Sequence, residues 1–243
     1  MTEIKHLLPA FERFAYGQSL HTAFTELLDW TLLPFKKWDN AELQNNALET
    51  YQSHPKVDQL VKLITIIGNL SEGFCDPLGE LYMQAISNGH NGQYFTPTPI
   101  CDMMATMSVR DDSKPGQTVC DPTCGSGRML LAAAKINRCM LLYGADLDIT
   151  CCKMALVNML LNSLQGEIAH MNTLSTEFYR GFKTGTVLVE THHYPLYTEI
   201  TEAEQSRIWL HDLKGNEVKP EFDKPFGPVR ASQPINGIQG SLF

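Results

Sequence analysis

Apolar residues follow two different rhythms along this chain. In its first 110 residues they recur three and four positions apart, the spacing that lines one face of an α-helix. The clearest example consists of Val57, Leu60, Val61, Ile64 and Ile67. From Thr118 the rhythm changes to short apolar runs separated by helical patterns, and the runs are QTVC, MLLYGAD, EIAHM and GTVLVE. This alternation is typical of strands in a parallel sheet. The sequence therefore predicts an α/β fold with a mainly parallel sheet, preceded by helices.

Capping residues locate two further helices. Asp76 followed by Pro77 is a typical helix start, and Asn88 with Gly89 is a typical end. After the loop 89–99, Thr98 and Pro99 begin another helix. Its apolar residues share one face, which we expect to lie in the core; they are Ile100, Met103, Met104 and Met107.

These patterns divide the chain into three parts. We expect an N-terminal helical segment over residues 1–90, an α/β core over residues 91–195, and a C-terminal hairpin with a loosely ordered tail over residues 196–243. The carboxyl ends of parallel strands form the ligand crevice in such sheets, so functional residues are expected directly after the strands.

Composition and charge narrow the class of protein. The chain has 243 residues and a net charge of −8, so diffuse attraction to a polyanion is excluded and any contact with nucleic acid must be local or shared with a partner. No apolar run approaches the roughly twenty residues that cross a bilayer, and the N-terminus lacks a secretion signal. Seven cysteines, an odd number, favour reduced thiols. We therefore expect a soluble, cytoplasmic protein that does not associate with membranes.

The turn DPTCGSG at 121–127 is the first candidate for ligand binding. Gly125 and Gly127 permit a tight turn between the strand TVC and the next helix, whose free N–H groups can face a ligand. Asp146 ends the following strand nineteen residues after Gly127, about the distance at which an acid binds ribose hydroxyls in Rossmann-like sheets. The alternatives are a plain glycine turn and a helix-capping acid. No phosphate-binding GxxxxGK[ST] is present, and Leu130 replaces the third glycine of GxGxxG.

Four motifs together resemble one enzyme family. They are GQYFTP at 92–97, DPTCGSG at 121–127, YGAD at 143–146 and ALVNMLL at 155–161. Their order is similar to that in adenine-specific DNA methyltransferases of the N-6 DNA methylase family, and the resemblance is closest to modification subunits of type I restriction systems. It covers roughly residues 55–190. The resemblance implies a Rossmann-like methyltransferase fold, S-adenosylmethionine as cofactor, and methyl transfer to the exocyclic amine of adenine in DNA, with a specificity or other partner subunit.

The resemblance also implies roles for individual residues. The methionine end of the cofactor would lie near Gln93, Tyr94, Phe95 and Thr96. The turn around it would consist of Asp121, Gly125, Ser126 and Gly127. Asp146 would hold the ribose, and Asn172 of HMNTL stands where the family often has an acid near the adenine ring. An asparagine amide can still contact the ring nitrogens.

The catalytic signature of the family is altered in this sequence. Where Asn or Asp, two prolines and an aromatic residue should follow the fourth strand, the chain reads Thr191, His192, His193, Tyr194. The family signature accepts hydrogens from the target amine and stacks on the base. We therefore assign Thr191 and Tyr194 as the remaining candidate catalytic residues. A second partial match lies at 223–226, and the two adjacent histidines are a poor metal site because neighbouring side chains on a strand point to opposite faces.

Three functions remain open at this stage. The first is an S-adenosylmethionine-dependent DNA adenine methyltransferase that transfers the methyl group directly. The second is a regulatory or modification subunit that retains the cofactor and has impaired chemistry. The third is a methyltransferase for a substrate other than DNA, since many substrates share the cofactor fold.

Overall fold

A computed structural model describes residues 4–87, 94–109, 116–189 and 191–208. Eight α-helices occur in these ranges: α1 (Ile4–Phe14), α2 (Leu20–Leu32), α3 (Ala41–Gln52), α4 (Val57–Leu70), α5 (Pro77–Tyr82), α6 (Thr98–Ser108), α7 (Arg128–Ile136) and α8 (Ile149–Leu161). A 3₁₀ turn over Leu33–Phe35 follows α2, a π-helical turn over Met83–Ser87 follows α5, and a second 3₁₀ turn covers Ala203–Gln205. The predicted helix starts at Pro77 and Thr98 are confirmed.

The five strands form one sheet in chain order. They are β1 (Thr118–Asp121), β2 (Leu141–Asp146), β3 (Gln165–Asn172), β4 (Glu177–Val189) and β5 (His192–Ile200). Strands β1, β2 and β3 are mutually parallel and connected by α7 and α8, which is the Rossmann-like part of the fold. The α/β class is confirmed.

The sheet is mixed, which corrects the expectation of a mainly parallel one. Strand β4 runs antiparallel to β3, and β5 runs antiparallel to β4. Residues 185–189 of the run GTVLVE lie in the second half of the long strand β4 and do not form a fourth parallel strand. Only the four residues 173–176 join β3 to β4, and so short a connection permits an antiparallel pairing but no helical crossover.

One hydrophobic core joins the N-terminal helices to the sheet. Leu142, Ile168 and Phe182 lie on the sheet face that faces this core, and Phe24 and Leu60 enter it from α2 and α4. Polar contacts reinforce the packing: Lys36 Nζ lies 2.9 Å from Glu199 Oε1, and Lys153 pairs with Asp29. The helical segment is therefore packed as part of the same body as the α/β part.

The apolar face of α6 differs from expectation. Cys101 and Ala105 face α7 in a small cluster with Ala132. The residues expected in the core are exposed instead: Ile100, Met103, Met104 and Met107. The prediction that these methionines are core residues is therefore wrong. No helix in the described ranges is both long and apolar enough to span a bilayer.

Candidate functional site

The turn 121–127 lies against the carboxyl end of β2. Gly125 and Gly127 have φ angles of +53° and +87°, in the left-handed region that glycine adopts without strain. The Cys124 amide donates to the Ala145 carbonyl oxygen at 2.8 Å, and the Gly127 amide donates to the Cys124 carbonyl oxygen at 2.8 Å. These bonds hold the turn beside the strand that ends at Asp146.

Asp146 is fixed by two backbone amides. Its Oδ2 accepts from the Gly125 amide at 2.9 Å, and its Oδ1 accepts from the Asp148 amide at 2.9 Å. The alternative role as the cap of α8 belongs to Asp148, whose Oδ1 accepts from the Thr150 amide at 2.8 Å. Each Asp146 oxygen keeps capacity for a further hydrogen bond, since a carboxylate oxygen accepts more than one. A vicinal pair of ribose hydroxyls suits this capacity.

The segment that precedes α6 packs on the same turn. The Phe95 ring covers Gly125 so closely that a Cβ at position 125 would lie 2.9 Å from Phe95 Cδ1. The Thr96 carbonyl oxygen accepts from Arg128 Nη1 at 3.4 Å, at the start of α7. Tyr94 is 73% exposed beside them. Gln93 lies outside the described residues.

A second carboxylate stands next to Asp146. Burial raises the pKa of Asp121, the charge of Asp146 raises it further, and a hydrogen bond from the Thr123 amide opposes both effects. Burial raises the pKa of the Cys124 thiol within the turn and of the Cys152 thiol in α8, so these side chains remain uncharged. The site therefore combines two carboxylates, Asp121 and Asp146, with uncharged thiols. This combination favours a ligand with positive charge.

Asn172 ends β3 at the same edge of the sheet. Asp146 pairs with His170, so Asn172 lies two residues beyond the end of β2. Its Oδ1 accepts from the Leu174 amide at 3.1 Å and the Ser175 amide at 3.3 Å, which orders the turn into β4. Its amide nitrogen takes no part in these two hydrogen bonds and is the group that a purine ring could contact.

The structure does not bring Thr191 and Tyr194 to this site. Thr184 of β4 pairs with Gly166 near the start of β3. The following residues of β4 therefore extend beyond the amino end of β3, away from Asn172. At about 3.3 Å per residue, Thr191 lies roughly 40 Å along the sheet from Asn172. The expected placement is corrected because residues 185–189 belong to the antiparallel strand β4, whose carboxyl end faces away from those of β1–β3. The second partial match, 223–226, lies outside the described residues.

The structure contains a buried polar cluster beneath the turn that the sequence did not predict. Asp76, just before α5, accepts four hydrogen bonds. Its Oδ1 accepts from the Gly79 amide and from Asn158 Nδ2, both at 2.8 Å, and its Oδ2 accepts from Ser126 Oγ at 2.5 Å and from Arg128 Nε at 2.6 Å. The sequence identifies Asp76 only as a helix cap. Asn158 is the one detectable signal, as a single amide within the apolar run ALVNMLL.

The described residues fit a nucleoside that carries a cationic group. Asp146 offers acceptor capacity for ribose hydroxyls, and Asp121 offers a second carboxylate. Gly125 lets the Phe95 ring pack directly on the turn, since a Cβ there would collide with that ring. The three sequence segments of the hypothesis thus meet at one edge of the sheet, except for Gln93.

A comparison with protein families identifies the chain. The family model described as N-6 DNA Methylase matches residues 75–211, more than half of the sequence. This chain belongs to the N-6 DNA methylase family. The matched range includes the turn, Asp146, Asn172 and also Asp76, which lies at its start. S-adenosylmethionine, the cofactor that the resemblance implies, agrees with this family.

Two solved structures are similar at low identity. One is a protein from Listeria monocytogenes assigned to the class I S-adenosylmethionine-dependent methyltransferases, with 17% identity over 69% of this chain and a TM-score of 0.42. The other is the methyltransferase subunit of a type I restriction-modification system from Streptococcus thermophilus, with 17% identity over 71% of this chain and a TM-score of 0.35. The chain spans about half the length of each, as 51% of both is covered.

Proposed function

We propose that this N-6 DNA methylase family member binds S-adenosylmethionine at the carboxyl edge of β1–β3 and serves the methylation of adenine in DNA. The observation that carries the proposal is the hydrogen bond between the Gly125 amide and Asp146 Oδ2, with Phe95 packed on the same glycine. It joins three separate segments of sequence in one site. Each of them belongs to a motif of the family.

The chain's own residues supply binding and orientation. Asp146 accepts the ribose hydroxyls, and the Asn172 amide faces the adenine ring. Asp121 balances positive charge, and Tyr94, Phe95 and Thr96 border the methionine end, where Gln93 completes the motif. Gly125, Ser126 and Gly127 form the turn that surrounds the ligand. S-adenosylmethionine, when bound, supplies an electrophilic methyl group for an amine nucleophile.

DNA and a partner subunit belong to the proposal for an electrostatic reason. With a net charge of −8, the chain lacks the diffuse positive field that brings proteins to DNA without assistance. A companion that supplies phosphate contacts and sequence recognition resolves this difficulty. The resemblance of the sequence motifs to modification subunits of type I restriction systems supports a partner of this kind.

The position of Thr191 and Tyr194 favours a second candidate function. These residues replace the amine-binding signature. They lie near the amino ends of the parallel strands, whereas Asp146 lies at the carboxyl end of β2. A target adenine that met the methyl group of a cofactor bound at this site would contact neither of them. The second candidate is therefore a cofactor-binding regulatory or modification subunit, in which another polypeptide supplies the groups that orient the target amine.

Calorimetric titration with S-adenosylmethionine tests the cofactor site. We expect saturable binding to the wild type and a loss of about a hundredfold in affinity for Asp146→Ala, because two hydrogen bonds to a charged acceptor disappear. Asp148→Ala is the matched control, since it removes an acid two residues away that caps α8. It should cost about 1 kcal/mol of stability and leave the affinity within about twofold. Equal affinities of the wild type and Asp146→Ala would contradict the site.

Methyl transfer from labelled cofactor separates the candidate functions. Incorporation into adenine of mixed DNA by the chain alone supports the enzyme, and incorporation only with a companion subunit supports the second candidate. Transfer to a protein or metabolite with none to DNA would replace both with the non-DNA methyltransferase considered from the sequence.

A further inference from the structure

The carboxylate of Asp76 is the centre of the most densely bonded polar cluster below the turn. We infer that Asp76 is a positioning residue, which sets the conformation of the cofactor turn from outside it and makes the N-terminal helical segment part of the binding site. The inference rests on the proposed function and extends it to a residue that contacts no ligand.

Burial makes this carboxylate costly unless it is fully bonded. The Asp76 side chain is 3% exposed and that of Arg128 is 9% exposed. A buried charge is tolerated only with a partner and with its remaining lone pairs satisfied. Asp76 meets both conditions with a guanidinium, a hydroxyl, an amide side chain and a backbone amide. Four donors around one carboxylate leave it a single favourable position.

Three of these donors come from elements that form the cofactor site. Ser126 belongs to the turn itself, Arg128 begins α7, and Asn158 lies in α8. Asn158 Nδ2 also donates to the Ser126 carbonyl oxygen at 2.9 Å, so both the side chain and the backbone of Ser126 are held. Asp76 thus fixes the residue between the two left-handed glycines.

Arg128 extends the same cluster to the segment before α6. Its Nη1 donates to the Thr96 carbonyl oxygen at 3.4 Å, and its guanidinium carbon lies 5.9 Å from the centre of the Phe95 ring. Its Nη2 donates to Glu80 Oε1 at 2.8 Å. One guanidinium therefore connects the Asp76 carboxylate to Thr96 and to Phe95, whose ring covers Gly125.

Gly79 shows that the helical segment is shaped around this cluster. A Cβ at position 79 would lie 2.0 Å from Asp76 Oδ2 and 2.6 Å from Ser126 Oγ. Any other residue there would occupy the space of the hydrogen bond between those two atoms. The first turn of α5 is thus fitted to the cofactor turn, and the two form one unit.

Asp76→Asn is the decisive variant. Asparagine keeps an oxygen for the Gly79 amide, since it is an equally good helix cap, but it removes the charge that Ser126 and Arg128 share. Two readouts are needed: hydrogen exchange of the Gly125 and Gly127 amides in the ligand-free protein, and calorimetric affinity for S-adenosylmethionine. We expect exchange about tenfold faster and affinity at least about tenfold weaker, the range for losing one charge-assisted hydrogen bond.

Two controls separate positioning from general stability. Glu80→Gln removes the charge of the other acid that pairs with Arg128. Because the Glu80 carboxylate bonds to Arg128 and not to the turn, this variant should change the affinity less than about threefold. Leu63→Ala opens a cavity in the core of α4 and should lower the melting temperature without changing affinity or exchange at the turn well below that temperature. Asn158→Ala, which keeps the charged pair, should weaken binding in the same direction as Asp76→Asn and decides the matter if the latter does not fold.

The outcomes distinguish this inference from the proposed function. If Asp76→Asn or, should that variant not fold, Asn158→Ala keeps wild-type affinity and exchange, Asp76 is not a positioning residue although the cofactor site stands. If the wild type itself gives no saturable heat, the cofactor proposal fails and the role of Asp76 in binding fails with it, while the exchange rates still show whether Asp76 orders the turn.

Discussion

Gly125 illustrates how a single residue combines two requirements of the site. Most residues with a side chain would be strained at its φ of +53°. In addition, the Phe95 ring occupies the space that a Cβ would need. Both requirements come from the contact between separate segments. The sequence reveals a glycine turn, but the ring that covers it is visible only in the fold.

Gly125→Ala should therefore reduce both stability and binding. We expect a loss of about 1–2 kcal/mol for the left-handed backbone and a displaced Phe95, which in turn weakens affinity for S-adenosylmethionine. Thermal unfolding and calorimetry measure the two effects. Gly68→Ala is the matched control, because Gly68 lies within α4 with open space around its Cβ position. That change should stabilise the protein by up to about 1 kcal/mol; equal behaviour of the two variants would contradict the argument.

Asp121 predicts a specific dependence of stability on pH. Burial and Asp146 raise the pKa of Asp121 in the folded state above its usual 3.8, so the folded chain binds more protons than the unfolded chain just above that value. The contribution of this residue to stability therefore falls as the pH rises through that window, and the penalty is fully present at neutral pH.

Asp121→Asn should remove that penalty. We expect a higher melting temperature than the wild type at pH 7, a difference that shrinks as the pH falls below 3.8, and weaker binding of the cationic cofactor. Asp58→Asn, an exposed acid in the first turn of α4, controls for net charge and should lower the melting temperature slightly through the helix dipole. A melting temperature of Asp121→Asn below the wild type at pH 7 would refute the assignment.

Helix α6 shows what periodicity can and cannot establish about an element. The spacing of its apolar residues correctly predicts a helix, but it does not specify which face is covered, because that depends on neighbours. The small residues Cys101 and Ala105 form the contact with α7. In the same way, the apolar run GTVLVE predicts a strand correctly, whereas its direction depends on the short turn after Asn172.

Substitutions on the two faces of α6 should have opposite consequences. Met103→Gln combined with Met107→Gln should change the free energy of unfolding by less than about 0.5 kcal/mol per site, as at other exposed positions. Ala105→Leu should destabilise by about 1–3 kcal/mol, because it overfills the contact with Ala132. Denaturant titration measures both, and a large loss for the methionine pair would show that their face is covered in solution.

The whole molecule follows from the sequence in part only. The α/β class, the family and the three converging segments were predictable, because motifs and strand endings are local features. The packing of the helical segment against the sheet was not predictable. It depends on contacts between residues far apart in the sequence, such as Asp76 with Ser126 and Lys36 with Glu199. Polar pairs of this kind, whether buried as Asp76 with Ser126 or partly exposed as Lys36 with Glu199, leave little trace in a hydrophobic pattern.

This packing predicts a single cooperative unfolding transition. Trp30 lies in α2 and Trp38 follows that helix, so tryptophan fluorescence reports largely on the helical segment, with a contribution from Trp209. Amide exchange of β2 and β3 reports on the sheet. Because Phe24, Leu60 and Ile168 share one core, we expect the two probes to give the same midpoint in denaturant. Leu28→Ala in α2 and Leu156→Ala in α8 should each shift both probes together, by about 2–5 kcal/mol. A midpoint for fluorescence that separates from the exchange of the sheet would show that the helical segment unfolds by itself, and would contradict a cofactor turn held in place by Asp76.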